Sequence, residues 1–434
     1  MNAIARMPNF VGYVKKENLD KSRLDRVLNR LEELAAVSDD TQCISRFYGT
    51  KAHVESRALL LRWMEEAGME TNCDNIGNVI GSLKSSHPNA KHFVIGSHYD
   101  SVHDAGKYDG PLGVILGLET AQEVSDRKMD LPFHLTVAAF ADEEGGRFNT
   151  AYLGSSVMAG NFENSWLDRK DDQGVSLRSI VESSGCKVDE IEADKLPAED
   201  WLGYFEVHIE QGPVLCKEDL PLCMVTGIAA QTRIDVEWTG VANHAGTVPM
   251  QLRQDALCAA AEFTLLVEKT AQKFKENLVA TVGKLTVGPN TSNVIPGRVL
   301  HCLDIRSLND SFLKEKVGEL EKMAQEIAQI RNVKCDWKIM QANASVNCDE
   351  RLMEVMRSAL GKSGLEKCLE IPSGAGHDGV MVSKVAPISM LFVRCTEGIS
   401  HNPLEHVEDA DIAASISACD QIVFELKDSD QFNF

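Results

Sequence analysis

The chain has 434 residues, more than one hydrophobic core usually organises, so at least two domains are expected. Apolar residues at 44% and charged residues at 25% are ordinary for a globular protein. A formal net charge of −21 argues against nucleic acid or an anionic membrane surface as partner, because both demand clustered Lys and Arg. Residues 1–16 lack a secretory apolar stretch, since Arg6 and Pro8 interrupt it, and the most apolar later run, 133–141, is too short to cross a bilayer. Twelve cysteines between Cys43 and Cys419 include no C-x-x-C pair, which predicts reduced thiols in a cytoplasmic protein, mostly buried as small apolar groups.

Leu24, Val27, Leu28, Leu31 and Leu34 recur at helical spacing, and 58–64 begins a second helix that Gly68 ends. Strands are predicted at 78–83, 92–97 and 133–141, with a helix over 113–124 between the last two. Strands alternating with helices imply a buried α/β sheet, whose strand-end loops are where chemistry is expected. From about Val225 the pattern changes to strand 233–238, helix 255–269, strand 278–287, strand 298–305, helix 312–330 and strand 333–340. That β-α-β-β-α-β order is ferredoxin-like and can be inserted as a block. Helix 351–360, strand 388–393 and helix 409–424 then resume the first pattern. The expected architecture is therefore a discontinuous α/β domain, 1–225 and 341–434, with an inserted α+β domain at 226–340.

The loop 96–110, GSHYDSVHDAGKYDG, follows a strand and carries His98, Asp100, His103, Asp104 and Asp109. Imidazole and carboxylate suit borderline divalent metals, although a solvated turn with Asx hydrogen bonds would use the same residues. ADEEGGRF, 141–148, follows the apolar strand and sets Glu143 beside Glu144, so that one can bind metal while its neighbour reaches a water; a solvated acidic turn is the alternative. FEVHIEQGPVL places His208, Glu210 and Gln211 at another strand end, and ISHNPLEHV places His401 and Glu405 after a fourth. Together His98, Asp109, Glu144, His208 and His401 supply ligands for two ions, with Asp109 able to bridge them.

GSHYD, GKYDGPLGV, DEEGGRF, HIEQGPVL, NHAGTVPM, NVIPG, SGAGHDG and ISHNPLE occur in that order, from about Leu31 to Val423. They resemble the dinuclear metal amidohydrolases related to aminoacylase and carboxypeptidase, the peptidase M20 family. The likeness is to the branch of allantoate amidohydrolases, N-carbamoyl-L-amino-acid hydrolases and β-ureidopropionases. The resemblance implies a three-layer α/β/α metallohydrolase domain with an inserted lid and dimerisation domain. It also implies two divalent ions per subunit, one held by His98, Asp109 and His208 and the other by Asp109, Glu144 and His401. Zinc or manganese is expected first, cobalt or nickel being accommodated by the same ligands. His208 stands where peptidase relatives carry a carboxylate, which points to the ureido branch.

By the same resemblance Glu143 is the general base, Asp100 orients His98, and Gln211, His244, Asn293, Arg306, Gly376 and His377 match substrate-binding positions. His244 would stabilise the oxyanion and Arg306 hold a substrate carboxylate, unless it is only an internal ion pair; Glu405 is expected to support His401, while His103 and Asp104 receive no role. The implied reaction is hydrolysis of a ureido C–N bond with release of ammonia and carbon dioxide. EELAAVSDD, GKYDG and LGYFEVHIEQGPVLCKEDLP lie nearest the allantoate members, with N-carbamoyl-amino-acid hydrolases next and a dipeptidase, an aminoacylase or a non-catalytic metal-binding protein further off. The inserted domain is expected to close over the site about hinges that include Gly227, and to form a homodimer.

Overall fold

The computed structural model describes residues 20–148, 150–365 and 368–432, so the reading of residues 1–16 falls outside it. In chain order its strands are β1 (Glu70–Cys73), β2 (Val79–Leu83), β3 (His92–His98), β4 (His134–Phe140), β5 (Trp201–Ile209), β6 (Leu222–Ile228), β7 (Ala230–Thr239), β8 (Asn243–His244), β9 (Val279–Gly288), β10 (Val294–Ile295), β11 (Arg298–Ser307), β12 (Lys334–Asn343), β13 (Val346–Asn347), β14 (Leu369–Ser373) and β15 (Ile388–Val393). The described residues divide into two compact units, one drawn from within 1–226, 347–371 and 376–434, the other from 227–346 and 372–375. The later crossing lies beyond the predicted 340 because β12 runs on to Asn343, past a register shift between Ile339 and Gln341. The return of 372–375 to the second unit has no counterpart in the sequence reading.

The first unit is built on a sheet of order β1-β2-β4-β3-β5-β15-β6-β13, with β14 on β6. β4, β3, β5 and β15 run parallel, while β2 and β6 join their outer members antiparallel. Successive strand residues point to opposite faces, yet β5 and β15 are buried at every position, and β3 and β4 at all but the first. Such strands need cover on both faces, which is why they read as unbroken apolar runs. Register sets His98 opposite Phe140 and His208 opposite Phe392, aligning the strand ends along one edge.

Several elements differ from the sequence expectation. The second helix begins at Lys51, seven residues before the predicted 58, capped by the Thr50 hydroxyl. Its first turns bury His53, Ser56 and Arg57, so hydropathy hid its inward face. β1, with sequence ETNC, has no apolar alternation and escaped notice. None of the twelve cysteines is paired, and only Cys223, Cys335, Cys395 and Cys419 are buried, so they are less sequestered than predicted. Among the described residues no helix is long and apolar enough to cross a membrane.

In the second unit the four long strands form an antiparallel sheet of order β12-β7-β11-β9. Numbered by appearance this is 4-1-3-2, the order that a ferredoxin-like βαββαβ chain produces when each helix crosses one strand. Ile234, Val236, Trp238, Val299, Leu303 and Ile305 form its core with Ala260 and Phe263 of helix Ala256–Lys273 and Leu320 of helix Asp310–Arg331.

Candidate metal centre

The four parallel strands end at one sheet edge, and the segment at each end carries a lone-pair donor. β3 closes on His98, and Asp109 stands where helix Pro111–Asp126 begins. Gly110 between them has φ +82°, and a Cβ there would lie 2.4 Å from the His98 ring, so only glycine lets the imidazole stand against the turn.

His98, Asp109 and His208 are buried and converge. His208 Nε2 is 3.1 Å and His98 Nε2 3.5 Å from Asp109 Oδ1, and the two Nε2 atoms are 3.4 Å apart. The Nδ1 of His98 faces the Asp100 carbonyl at 3.2 Å, and that of His208 the Ile209 carbonyl at 2.9 Å. In the neutral rings those contacts place the proton on Nδ1, so both Nε2 lone pairs meet at Asp109 Oδ1, an atom with no hydrogen-bond partner among the described residues. The spacings match the edge, about 3.3 Å, of a tetrahedron of ligands roughly 2.0–2.1 Å from a central ion. Burial disfavours an imidazolium at His98 and His208, yet Asp100 and Asp109 raise the first well above its ordinary value and Asp109 raises the second. The set demands positive charge, and a divalent cation fits that demand.

A second set uses the other carboxylate oxygen. Asp109 Oδ2 is 3.3 Å from His401 Nε2, which lies 3.2 Å from Glu144 Oε1. His401 is held at φ +53°, a strained region for a side chain of its size and a common expense at functional positions. Glu143, beside Glu144, is almost buried, and burial, joined by Glu144, Asp378 and Asp100 against the pull of His98, raises its carboxyl well above the ordinary range. A carboxylate so placed accepts a proton readily.

Asp100, expected to orient His98, has its carboxylate in contact with two loops. Its Oδ1 lies 3.3 Å from His98 Nδ1, but its oxygens also accept the N–H groups of Glu143 at 3.0 Å and Glu144 at 3.3 Å, tying β3's loop to β4's. Glu405, expected to support His401, instead accepts the N–H groups of Tyr108 at 2.8 Å and Asp109 at 3.1 Å, fixing the backbone of the shared carboxylate. Ser400 donates a short hydrogen bond to Asp109 Oδ2, and Gln211 Nε2 donates to the same atom at 2.8 Å. Ser400 was missed, although it adjoins His401 in ISHNPLE. Arg46 was missed too: its buried guanidinium reaches the carbonyls of Leu34, Val37 and Tyr99, and its backbone bonds Ser101 both ways, clamping the segment around Asp100.

Of the other predicted residues, His377 is buried with its ring centroid 4.5 Å from that of His208, and Gly376 makes room for the Tyr152 hydroxyl, which a Cβ would meet at 1.7 Å. Glu210 accepts the N–H groups of Val214 and Leu215 and so caps a short helix. His103 and Asp104 are exposed and outside both donor sets.

In the second unit β8 pairs with β10, and Ala245 donates to the Asn293 carbonyl at 2.9 Å, so His244 and Asn293 stand on neighbouring segments, both exposed. His244 Nδ1 accepts the Gly246 N–H at 3.0 Å, which leaves the neutral ring's proton on Nε2 as an outward donor. Arg306 gives Nε and Nη2 to Asp304, at 2.7 and 3.0 Å, and Nη1 to the Gly374 carbonyl at 2.5 Å. It is thus an ion pair and still retains one N–H on each terminal nitrogen, a fork that a carboxylate accepts.

The model of the peptidase family M20/M25/M40 matches residues 94–425. Allantoate deiminase 1 of Glycine max is 38% identical, covering 90% of this chain and 87% of its own. An N-carbamoyl-L-amino acid amidohydrolase of Geobacillus stearothermophilus is 35% identical, covering 93% of this chain and 98% of its own. The crystal structure of a hydantoinase/carbamoylase-family amidase from Burkholderia multivorans superposes with a TM-score of 0.84 at 32% identity, covering 93% of this chain and 97% of that one. With a family match over most of its length and relatives of this similarity, the chain belongs to peptidase family M20/M25/M40.

Proposed function

We propose that this amidohydrolase acts on allantoate, cleaving the outer carbon–nitrogen bond of a ureido group to give ammonia and a carbamate that loses carbon dioxide. The observation that carries the reading is Asp109, which turns one oxygen toward His98 and His208 and the other toward His401, with Glu144 completing the second set. Those residues would hold two divalent ions, zinc or manganese by donor type, with cobalt or nickel as substitutes. When bound, such ions acidify a water and polarise a carbonyl.

The chain's own groups supply the rest. Glu143 takes the proton of the attacking water and returns it to the departing nitrogen, which leaves as ammonia. Asp100 keeps Glu143 and Glu144 in place through their backbone N–H groups. His244, with its proton on Nε2, suits the developing oxyanion, and the free fork of Arg306 suits the substrate carboxylate. Gln211, Asn293, Gly376 and His377 complete the substrate contacts in this reading. The second unit, which carries His244, Asn293 and Arg306, serves as lid and homodimer contact, and the protein works in the cytoplasm.

The test is ammonia release by metal-loaded protein from allantoate, several N-carbamoyl-L-amino acids, N-carbamoyl-β-alanine and a dipeptide, the dipeptide being followed by free amino acid. Allantoate should give the highest kcat/KM and the dipeptide none. A carbamoyl amino acid turned over faster would move the assignment to that neighbouring activity, and dipeptide cleavage would overturn it.

A further inference from the structure

Glu143 and the turn at Gly376 and His377 come from distant parts of the chain, and within the first unit one side chain joins them. Tyr152 is buried at the start of helix Leu153–Met158. Its N–H donates to the Glu143 carbonyl at 3.1 Å, and the N–H of Leu153 donates to the Asp142 carbonyl at 2.8 Å. Its φ of +65° lies in the left-handed region, which a bulky side chain adopts at a cost and keeps only where its surroundings demand it. At the other end of the residue is the phenol. A Cβ on Gly376 would lie 1.7 Å from the hydroxyl oxygen and 3.0 Å from Cζ. Gly376 is not among the positive-φ glycines, so room for that hydroxyl, rather than backbone freedom, calls for glycine there. The chain passes directly on to His377, whose ring centroid is 4.5 Å from that of His208, and to Gly379, whose N–H donates at 3.0 Å to Glu206 on the strand of His208.

We propose that Tyr152 is a positioning residue, a strut tied to the Glu143 backbone at one end and set against Gly376 at the other, which holds the general base in register with the groups around His377. The proposal rests on the reading of Glu143 as base and of Gly376 and His377 as substrate contacts, and it adds what fixes the spacing between them. Tyrosine suits the task because its ring is rigid and only two side-chain torsions have to be fixed. Tyr152 acts through its neighbours. A bound carbonyl displaced relative to the base loses turnover more than affinity, because attack needs the reacting atoms aligned and about 3–3.5 Å apart.

Tyr152→Phe, Gly376→Ala and the double variant test it in metal-loaded protein. Tyr152→Phe removes only the hydroxyl, so kcat for allantoate should fall about tenfold while KM stays within about twofold and metal content is unchanged. Gly376→Ala drives a methyl into the hydroxyl and should displace the turn, lowering kcat about a hundredfold. The double variant leaves Cζ, at 3.0 Å, as the nearest ring atom, so it should recover about tenfold of that loss, a non-additivity expected of two groups in contact. Crystal structures of the variants give a readout apart from activity: the separation of Glu143 and His377 should change in Gly376→Ala and return in the double variant. Unchanged kcat in Tyr152→Phe, even with a lowered melting temperature, overturns the strut, and so does a double variant no better than Gly376→Ala. If Gly376→Ala does not fold, the split between kcat and KM in Tyr152→Phe decides. If no ureido substrate is hydrolysed, the proposed function falls alone, and the crystallographic comparison decides the strut.

Discussion

Replacing Asp100 by Asn tests whether one buried carboxylate organises the whole centre. The residue is 1% exposed and its side-chain oxygens accept two backbone N–H groups, those of Glu143 and Glu144. An amide keeps the shape but has one acceptor, so its NH2 must face one of those N–H groups, most cheaply Glu144 at 3.3 Å. A hydrogen bond to a charged group contributes about 1.5–3 kcal/mol, and the donor left facing another donor adds to the loss. The negative charge beside His98 disappears as well, and loss of such a partner typically weakens metal binding about 10–100-fold. That range converts to roughly 1.4–2.7 kcal/mol of metal binding, a loss separate from the one to the fold. Competition with a chelator would read metal affinity, and melting of the metal-free protein would read the fold. Asp104→Asn in the same loop is the control: the side chain is exposed at φ +55°, where Asn is at home, so a change within about 0.5 kcal/mol is expected. Metal affinity within twofold of wild type in Asp100→Asn would refute the reasoning.

Glu143→Gln should retain its metal while turnover falls by roughly two to four orders of magnitude; near-normal ammonia release would require another base. Asp109→Ala should lose more metal than any other single-ligand variant, read by elemental analysis after dialysis, because this side chain faces His98 and His208 with one oxygen and His401 with the other; full metal content would end the bridging assignment. In the second unit, burial lowers His301 from 6.5 to about 4, and neither ring nitrogen has a hydrogen-bond partner among the described residues. The stabilisation from its neutral state is present above 6.5 and is lost as pH falls through about 4, in total roughly 3 kcal/mol. His301→Phe, which preserves the stack on Phe263, should lack that part of the acid loss in denaturant titrations, and identical pH profiles would count against it.

Much of the architecture was legible because burial writes itself into hydropathy. Strand Ile388–Val393 is buried at all six positions and was bounded correctly from its apolar run. The second-unit strands β7 and β11 alternate in burial, and the sequence placed a strand within each, at 233–238 and 298–305. What escaped were elements whose burial is polar or slight: the turns holding His53 and Arg57, and the ETNC strand. At the site, the residue types of His98, Asp109, Glu144, His208 and His401 could be named from their loops. Their division into two sets sharing Asp109 came from the family resemblance, and the loops alone did not specify it. Glu405 and Ser400 lie 296 and 291 positions from Asp109, and nothing in the local sequence of either loop announces that contact.

That long-range support bears on why the two donor sets differ. His98, Asp109 and His208 all precede the second unit in sequence, and all three are buried with His98 and His208 fixed through Nδ1 by backbone carbonyls. The other set depends on His401, which follows the second unit, has a side chain 45% exposed, and sits in a strained backbone conformation. An ion in the first set would thus be shielded and held by pre-aimed donors, whereas one in the second would require a loop far along the chain to stay docked. Ser400 and Glu405 act on that requirement from the same loop, one bonding the oxygen of Asp109 that faces His401 and the other bonding its backbone N–H. With both sets occupied, Asp109 would couple a buried half of the centre to a half that the carboxyl-terminal segment must complete, and the loop carrying His401 also braces the residue shared by both sets.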